Sequence, residues 1–131
     1  MLAIDTNILI RFILRDDPNQ AQLADRVFLK AIEDGDEIFV SDITLCELAW
    51  VLKRTFKFDW GQILKVLRNI YETDIIRFSS EDRVVNSLDS YETGRADFAD
   101  YLILQHCKAV GAQNLISFDK AALGEPGFVS P

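Results

Sequence analysis

Five acidic side chains lie beside or within the most apolar stretches of this chain. They are Asp5 after residues 2–4, Glu47 within 43–52, Asp97 and Asp100 before 101–104, and Asp119 after 115–118. An unpaired, ionised carboxylate in apolar surroundings is strongly unfavourable unless a cationic side chain or a bound metal ion compensates it. Few basic residues lie near these positions along the sequence. We therefore interpret the set as a site for a divalent cation.

The ligand types select the cation and the reaction. All the candidate ligands offer oxygen, and no histidine or cysteine joins them, which favours Mg²⁺ or Mn²⁺ over Zn²⁺. Such a cation activates water and stabilises the charge that develops at phosphorus, so phosphodiester hydrolysis is the predicted reaction. Cys46 and Cys107 lie in predicted helices without metal-ligand spacing, and we expect both to be buried free thiols.

Strands and helices alternate along the chain. The sequence predicts strands at 1–5, 38–41, 75–78, 114–118 and 128–129. It predicts helices up to Arg15, from Asp17-Pro18 to Gly35, over 43–56, from the Asp59 cap to Glu72, from a Ser79-x-x-Asp82 capping box to Gly94, and over 96–110. This order predicts a three-layer α/β fold, with a central, mainly parallel sheet of four to five strands flanked by helices.

The predicted elements would place the acids where open α/β sheets bind ligands, beyond the carboxyl ends of the strands. Asp5 and Asp119 follow the first and fourth strands. Glu47 shares the apolar stripe of its helix with residues 43 and 51, spaced four apart. Asp97 and Asp100 share a face at a helix start, where the alternative role is to stabilise the helix dipole.

Composition bounds the class of protein. With 131 residues, 49% of them hydrophobic, and no linker or repeat, we expect a single domain over 1–131. No apolar run approaches the about 20 residues that span a bilayer. Residues 1–4 lead directly to Asp5 with no basic segment before them, as a signal peptide would have, so we expect a cytoplasmic protein.

The net charge of −7 is unusual for a protein that binds nucleic acid, although a bound cation would offset it locally. It would equally suit a basic protein partner.

The motifs, taken together and in order, resemble those of PIN domains. They are Asp5-Thr6-Asn7-Ile8-Leu9, a single Glu47 in a following helix, Asp97-Phe98-Ala99-Asp100-Tyr101-Leu102-Ile103, and Ser117-Phe118-Asp119. The resemblance spans essentially the whole chain and is strongest to the VapC toxins of bacterial and archaeal toxin–antitoxin pairs. The family more often has threonine at the position of Ser117, and serine keeps the hydroxyl.

The resemblance implies a PIN-like fold and an Mg²⁺- or Mn²⁺-dependent endoribonuclease. It also implies a VapB-like antitoxin that holds the enzyme inactive, and a homodimer. Carried over to this chain, the metal ligands are Asp5, Glu47, Asp100 and Asp119. Asp97 is a further catalytic residue, and which of Asp97 and Asp100 is the main third ligand stays open. Thr6, Asn7 and Ser117 would be supporting polar neighbours.

Several other functions were considered for this sequence. A phosphatase of the Asp-x-Asp type would need a second acid at Asn7, and a receiver domain would need an acceptor aspartate where 77–79 reads Arg-Phe-Ser. An antitoxin-independent PIN nuclease and a catalytically silent PIN-like binding module both stay open. Arg95 is the best candidate for a contact to RNA phosphate, with Arg11 second, and an ion pair with nearby acids is the alternative for Arg95. The RNA target and the number of metal ions are undecided.

Overall fold

The computed structural model describes residues 1–131 and consists of helices joined by short strands. The strands are β1 (Leu2–Ala3), β2 (Ile38–Phe39), β3 (Ile76–Arg77), β4 (Leu115–Ile116) and β5 (Phe128–Val129). The helices are α1 (Thr6–Leu14), α2 (Pro18–Glu33), α3 (Asp42–Arg54), α4 (Trp60–Tyr71), α5 (Glu81–Thr93), α6 (Phe98–Ala109) and α7 (Lys120–Leu123). The predicted α/β class is confirmed. None of the helices combines the length and the apolar character needed to cross a membrane.

Every pair of hydrogen-bonded strands is parallel, as predicted, but the strands form a three-stranded and a two-stranded sheet where one sheet of four to five strands was expected. In the first sheet, β2 lies between β1 and β3, so that Ile38 is paired with Leu2 on one side and with Ile76 on the other. In the second sheet, β4 pairs with β5 and Leu115 lies opposite Phe128. Parallel neighbours need a crossover connection, and helices supply it in each case.

The chain divides into two compact units. The first unit, Met1–Ser79, holds the three-stranded sheet and helices α1 to α4. The second unit, Ser80–Pro131, holds helices α5 to α7 and the two-stranded sheet. Each unit therefore contains its own parallel strands, and the expectation of one domain over 1–131 stays a prediction.

In the first unit, helices α1 and α2 form a hairpin directly after β1. The rings of Phe12 and Phe28 stack between them with centroids 3.8 Å apart. The side chain of Asp17 accepts a hydrogen bond from the Gln20 backbone N–H, and Pro18 is the first residue of α2. Proline suits that position because the N–H it lacks would have no partner inside the helix. The predicted start of this helix is confirmed.

Helix α3 buries a different face from the one expected. Its buried side chains are Thr44, Leu45, Cys46, Leu48, Ala49 and Leu52. The stripe that was expected to be apolar and buried points outward instead. Ile43 is 72% exposed, Glu47 is exposed, and Val51 is only half-buried. The prediction that Glu47 lies on the buried stripe of its helix was wrong. Leucine and alanine occupy the neighbouring positions and pack more apolar surface.

In the second unit, α5 packs against α6, and the rings of Tyr91 and Phe98 meet edge to face at 6.1 Å. Helix α5 starts one residue later than predicted, since the Ser80 hydroxyl, and not that of Ser79, caps it by accepting from the Arg83 N–H. Serine is a preferred N-cap at either position, and the acid three residues later favoured Ser79 in the sequence. The short helix α7 was not predicted.

Candidate active site

Asp5 lies just beyond β1 and caps the N-terminus of α1. Its Oδ1 atom accepts a hydrogen bond from the Ile8 N–H at 3.1 Å, while its Oδ2 atom has no hydrogen-bond partner. The side chain is exposed. Asp5 therefore caps the helix with one carboxylate oxygen and leaves the other available to bind a cation.

Glu47 is linked to the start of the same helix α1. The Thr6 hydroxyl donates a hydrogen bond to Glu47 Oε2 at 3.0 Å, and Thr6 itself is buried. Because Thr6 is the next residue after Asp5, this bond ties the carboxylate on α3 to the end of β1. Asp5 and Glu47 are thus joined through one side chain, although they lie 42 positions apart in sequence. Asn7, the other supporting residue expected here, is exposed and its role stays a prediction.

Asp97 and Asp100 lie at the start of α6, in the second unit. The Asp97 N–H donates to Asp100 Oδ2 at 3.2 Å, and the Asp100 N–H donates to the Asp97 carbonyl oxygen at 3.0 Å. Both residues are half-buried. The helix-capping role weighed as an alternative is therefore present, and it uses one oxygen of Asp100.

Asp119 repeats the arrangement of Asp5, beyond β4. Its Oδ1 atom accepts from the N–H groups of Ala121 at 2.9 Å and Ala122 at 3.4 Å, which caps α7. The Ser117 hydroxyl accepts from the Asp119 N–H at 2.9 Å and so orients the backbone of this aspartate. The remaining carboxylate oxygen of Asp119 has no hydrogen-bond partner and the side chain is exposed.

Three of the five candidate acids are exposed in the structure. Asp5, Glu47 and Asp119 are exposed, so burial does not force a compensating charge on them, contrary to what their apolar neighbours in sequence indicated. Asp5 and Asp119 cap helices just after strand ends, and Glu47 lies on the outward face of α3. The exposed acids instead offer free carboxylate oxygens of the kind that Mg²⁺ and Mn²⁺ bind.

The candidate acids are divided between the two units, and neither unit by itself contains the whole set. Asp5 and Glu47 belong to the first unit, whereas Asp97, Asp100 and Asp119 belong to the second. Within neither unit do three acidic, histidine or cysteine side chains lie close enough together to hold a metal ion. The oxygen donors fit a hard divalent cation in their chemistry, and their joint action stays a prediction.

Two residues that sequence reasoning missed support the loop before Asp97. The Tyr101 hydroxyl accepts from the Ala96 N–H at 3.2 Å, and the Glu125 carboxylate accepts from the Arg95 N–H. Burial raises the pKa of Tyr101 above its usual range; the Ala96 N–H opposes this shift, and Glu125 adds to it. In the sequence, Tyr101 looks like one more apolar residue of its helix, and no neighbouring residue indicates that Glu125 bonds this loop.

The two candidate RNA-binding arginines differ in their surroundings. The Arg11 guanidinium donates to Gln20 at 2.6 Å and pairs with Asp16 at 3.1 Å, so a phosphate would have to displace these partners. Arg95 is exposed and its side chain forms no ion pair, so its cationic group faces solvent. Contacts of both residues with RNA stay predictions.

Two comparisons with known proteins bear on the family of this chain. The PIN domain family matches residues 2–125. A VapC ribonuclease of Aquifex aeolicus (strain VF5) is similar to the chain, with 21% identity over 120 residues, covering 92% of this chain and 88% of that protein. The family match includes β1, the three capping aspartates at the starts of α1, α6 and α7, and Glu47 between them. This chain therefore belongs to the PIN domain family.

Proposed function

We propose that the protein is a metal-dependent endoribonuclease that hydrolyses RNA phosphodiester bonds with Mg²⁺ or Mn²⁺. The observation that carries the proposal is that Asp5, Glu47 and Asp119 each present a carboxylate oxygen without a hydrogen-bond partner, in a chain of the PIN family. The similarity to a VapC ribonuclease supports RNA as the substrate. Because the family match runs through both units, we also propose that residues 1–131 act as one nuclease domain.

In this proposal Asp5, Glu47, Asp100 and Asp119 are the ligands, and Asp97 supports them. When bound, the divalent cation would activate water and stabilise the charge that develops on the phosphate. The chain's own residues set the geometry of the ligands. Thr6 fixes the rotamer of Glu47, and Ser117 holds the backbone of Asp119. The exposed Arg95 side chain would bind a neighbouring phosphate.

The direct test is cleavage of a mixed RNA substrate by the purified protein. We expect cutting with Mn²⁺ or Mg²⁺, none with excess EDTA, and recovery when Mn²⁺ is added beyond the chelator. Cleavage that is indifferent to EDTA would contradict a metal-dependent reaction. Absence of cutting over a broad RNA panel, with the protein folded and free of partners, would favour a PIN-like binding module.

The hydrogen bond between Thr6 and Glu47 yields a second prediction. Thr6→Val keeps the shape of the side chain but removes the donor, so Glu47 should lose its fixed orientation. We expect RNA cleavage to fall about 10-fold, the scale typical of losing a partner that orients a metal ligand. Initial rates at several Mn²⁺ concentrations would measure this.

Thr6→Ser is the matched control, because it restores the hydroxyl. It should recover most of the lost activity, while thermal unfolding should show both variants folded. Equal rates for Thr6→Val and the unmodified protein would refute the orienting role of Thr6.

We further propose a cognate VapB-like antitoxin as the inhibitory partner and a homodimer as the oligomeric state. The similarity to a VapC ribonuclease supports the first, and the acidic net charge of −7 would suit a basic inhibitory segment. An arginine of that segment would pair with the exposed carboxylates in place of the cation. A small gene for a DNA-binding protein beside this one would favour the antitoxin over an independent nuclease.

A further inference from the structure

The loop between α5 and α6 is held by an unbroken series of backbone hydrogen bonds to side chains. Three consecutive N–H groups each donate to a different side chain: that of Arg95 to Glu125, that of Ala96 to Tyr101, and that of Asp97 to Asp100. A loop normally leaves several of its N–H groups to water. Here each is fixed at the point where the chain enters the Asp97–Asp100 turn.

Tyr101, which accepts from the Ala96 N–H, is itself held in the core of the second unit. It is only 4% exposed. Its ring meets that of Phe128 edge to face at 6.2 Å, which ties the anchor to β5. Glu125 lies between α7 and β5, on the segment that follows Asp119. The loop before Asp97 is therefore fastened to the part of the chain that carries Asp119.

The fit around the tyrosine is tight. A Cβ atom built on Gly94 would lie 1.9 Å from the Tyr101 hydroxyl and 2.7 Å from the Ser90 carbonyl oxygen. Glycine at 94 is thus what lets the hydroxyl approach the loop closely enough to accept from Ala96. The hydroxyl has a defined place and little freedom to leave it.

We propose that Tyr101 and Glu125 are positioning residues that set Asp97 and Asp100 for cation binding. This inference rests on the proposed function, since it assigns those two aspartates to the metal centre. Neither Tyr101 nor Glu125 need touch the cation. By fixing the backbone at residues 95–97 they hold the two carboxylates at the start of α6 in the orientation that the cation would require.

The test compares Tyr101→Phe, Glu125→Ala and Glu125→Gln with the unmodified protein. The first two variants remove an acceptor, whereas glutamine keeps an oxygen for the Arg95 N–H. We expect the Mn²⁺ concentration at half-maximal cleavage to rise about 10-fold for Tyr101→Phe and Glu125→Ala. The rate at saturating Mn²⁺ should stay near that of the unmodified protein, and Glu125→Gln should recover most of the affinity.

Direct Mn²⁺ binding, followed by the electron paramagnetic resonance signal of the free ion, should show the same order. Tyr71→Phe is the control for losing a tyrosine hydroxyl, as Tyr71 is half-buried and stacks on Phe78 in the first unit. Unchanged Mn²⁺ dependence in the folded Tyr101→Phe and Glu125→Ala variants would overturn the positioning role alone. Absence of Mn²⁺ binding and of cleavage in the unmodified protein would overturn the proposed function and this inference together.

Discussion

Asp5→Asn should abolish metal-dependent RNA cleavage while leaving the fold as stable as before. The loss should exceed the about 10- to 100-fold typical of removing an outer partner of a metal ligand, because a direct ligand would lose its charge. Stability should persist because asparagine caps a helix about as well as aspartate, and the Ile8 N–H would keep its acceptor. RNA cleavage assays and thermal unfolding measure the two effects separately.

Asp5→Ala supplies the matched comparison. It should be equally inactive, and it should also lose about 1 kcal/mol of unfolding free energy, the usual consequence of removing an N-cap. The difference between the two variants isolates the capping role of Asp5 from its catalytic role. Appreciable cleavage by a folded Asp5→Asn protein would exclude Asp5 as an essential ligand.

Gly94→Ala should be the most damaging single-methyl change near the candidate site. The added carbon would lie 1.9 Å from the Tyr101 hydroxyl and 2.7 Å from the Ser90 carbonyl oxygen, which belongs to the backbone and cannot swing away. We expect a loss of about 1–3 kcal/mol in unfolding free energy, as for overpacked sites. Chemical denaturation would measure it.

Gly61→Ala is the control for a change from glycine to alanine. Gly61 lies in the first turn of α4, where the nearest atom to an added Cβ, Asp59 Oδ1, is 3.6 Å away. Alanine there should stabilise the helix by about 0.5–1 kcal/mol. Equal and small effects of both substitutions would contradict the close approach of Tyr101 to Gly94.

Local chemistry allowed much of the fold to be predicted. Asp17 followed by Pro18 marks the start of α2, and the Asp59 cap marks the start of α4. Such capping signals involve only three or four neighbouring residues, so they can be identified in any sequence that contains them. The ordered acidic motifs also indicated the PIN family, which the family match over residues 2–125 confirms.

Other features depended on residues that are distant in sequence. The buried face of α3 was assigned wrongly because Ile43 and Glu47 fall on a helical stripe whose outward direction only packing reveals. The bond between Thr6 and Glu47 joins residues 41 apart, and that between Arg95 and Glu125 joins residues 30 apart.

The sequence by itself thus determined most of the elements, several of their caps, and which acids are available for chemistry. The tertiary structure alone decided that Thr6 bonds Glu47, and that Tyr101 and Glu125 bond the backbone just before Asp97. The reason is physical: caps and periodicity are short-range properties of the chain. The partner of a hydroxyl or a loop N–H, in contrast, is chosen by whichever side chain the packed elements bring within about 3 Å.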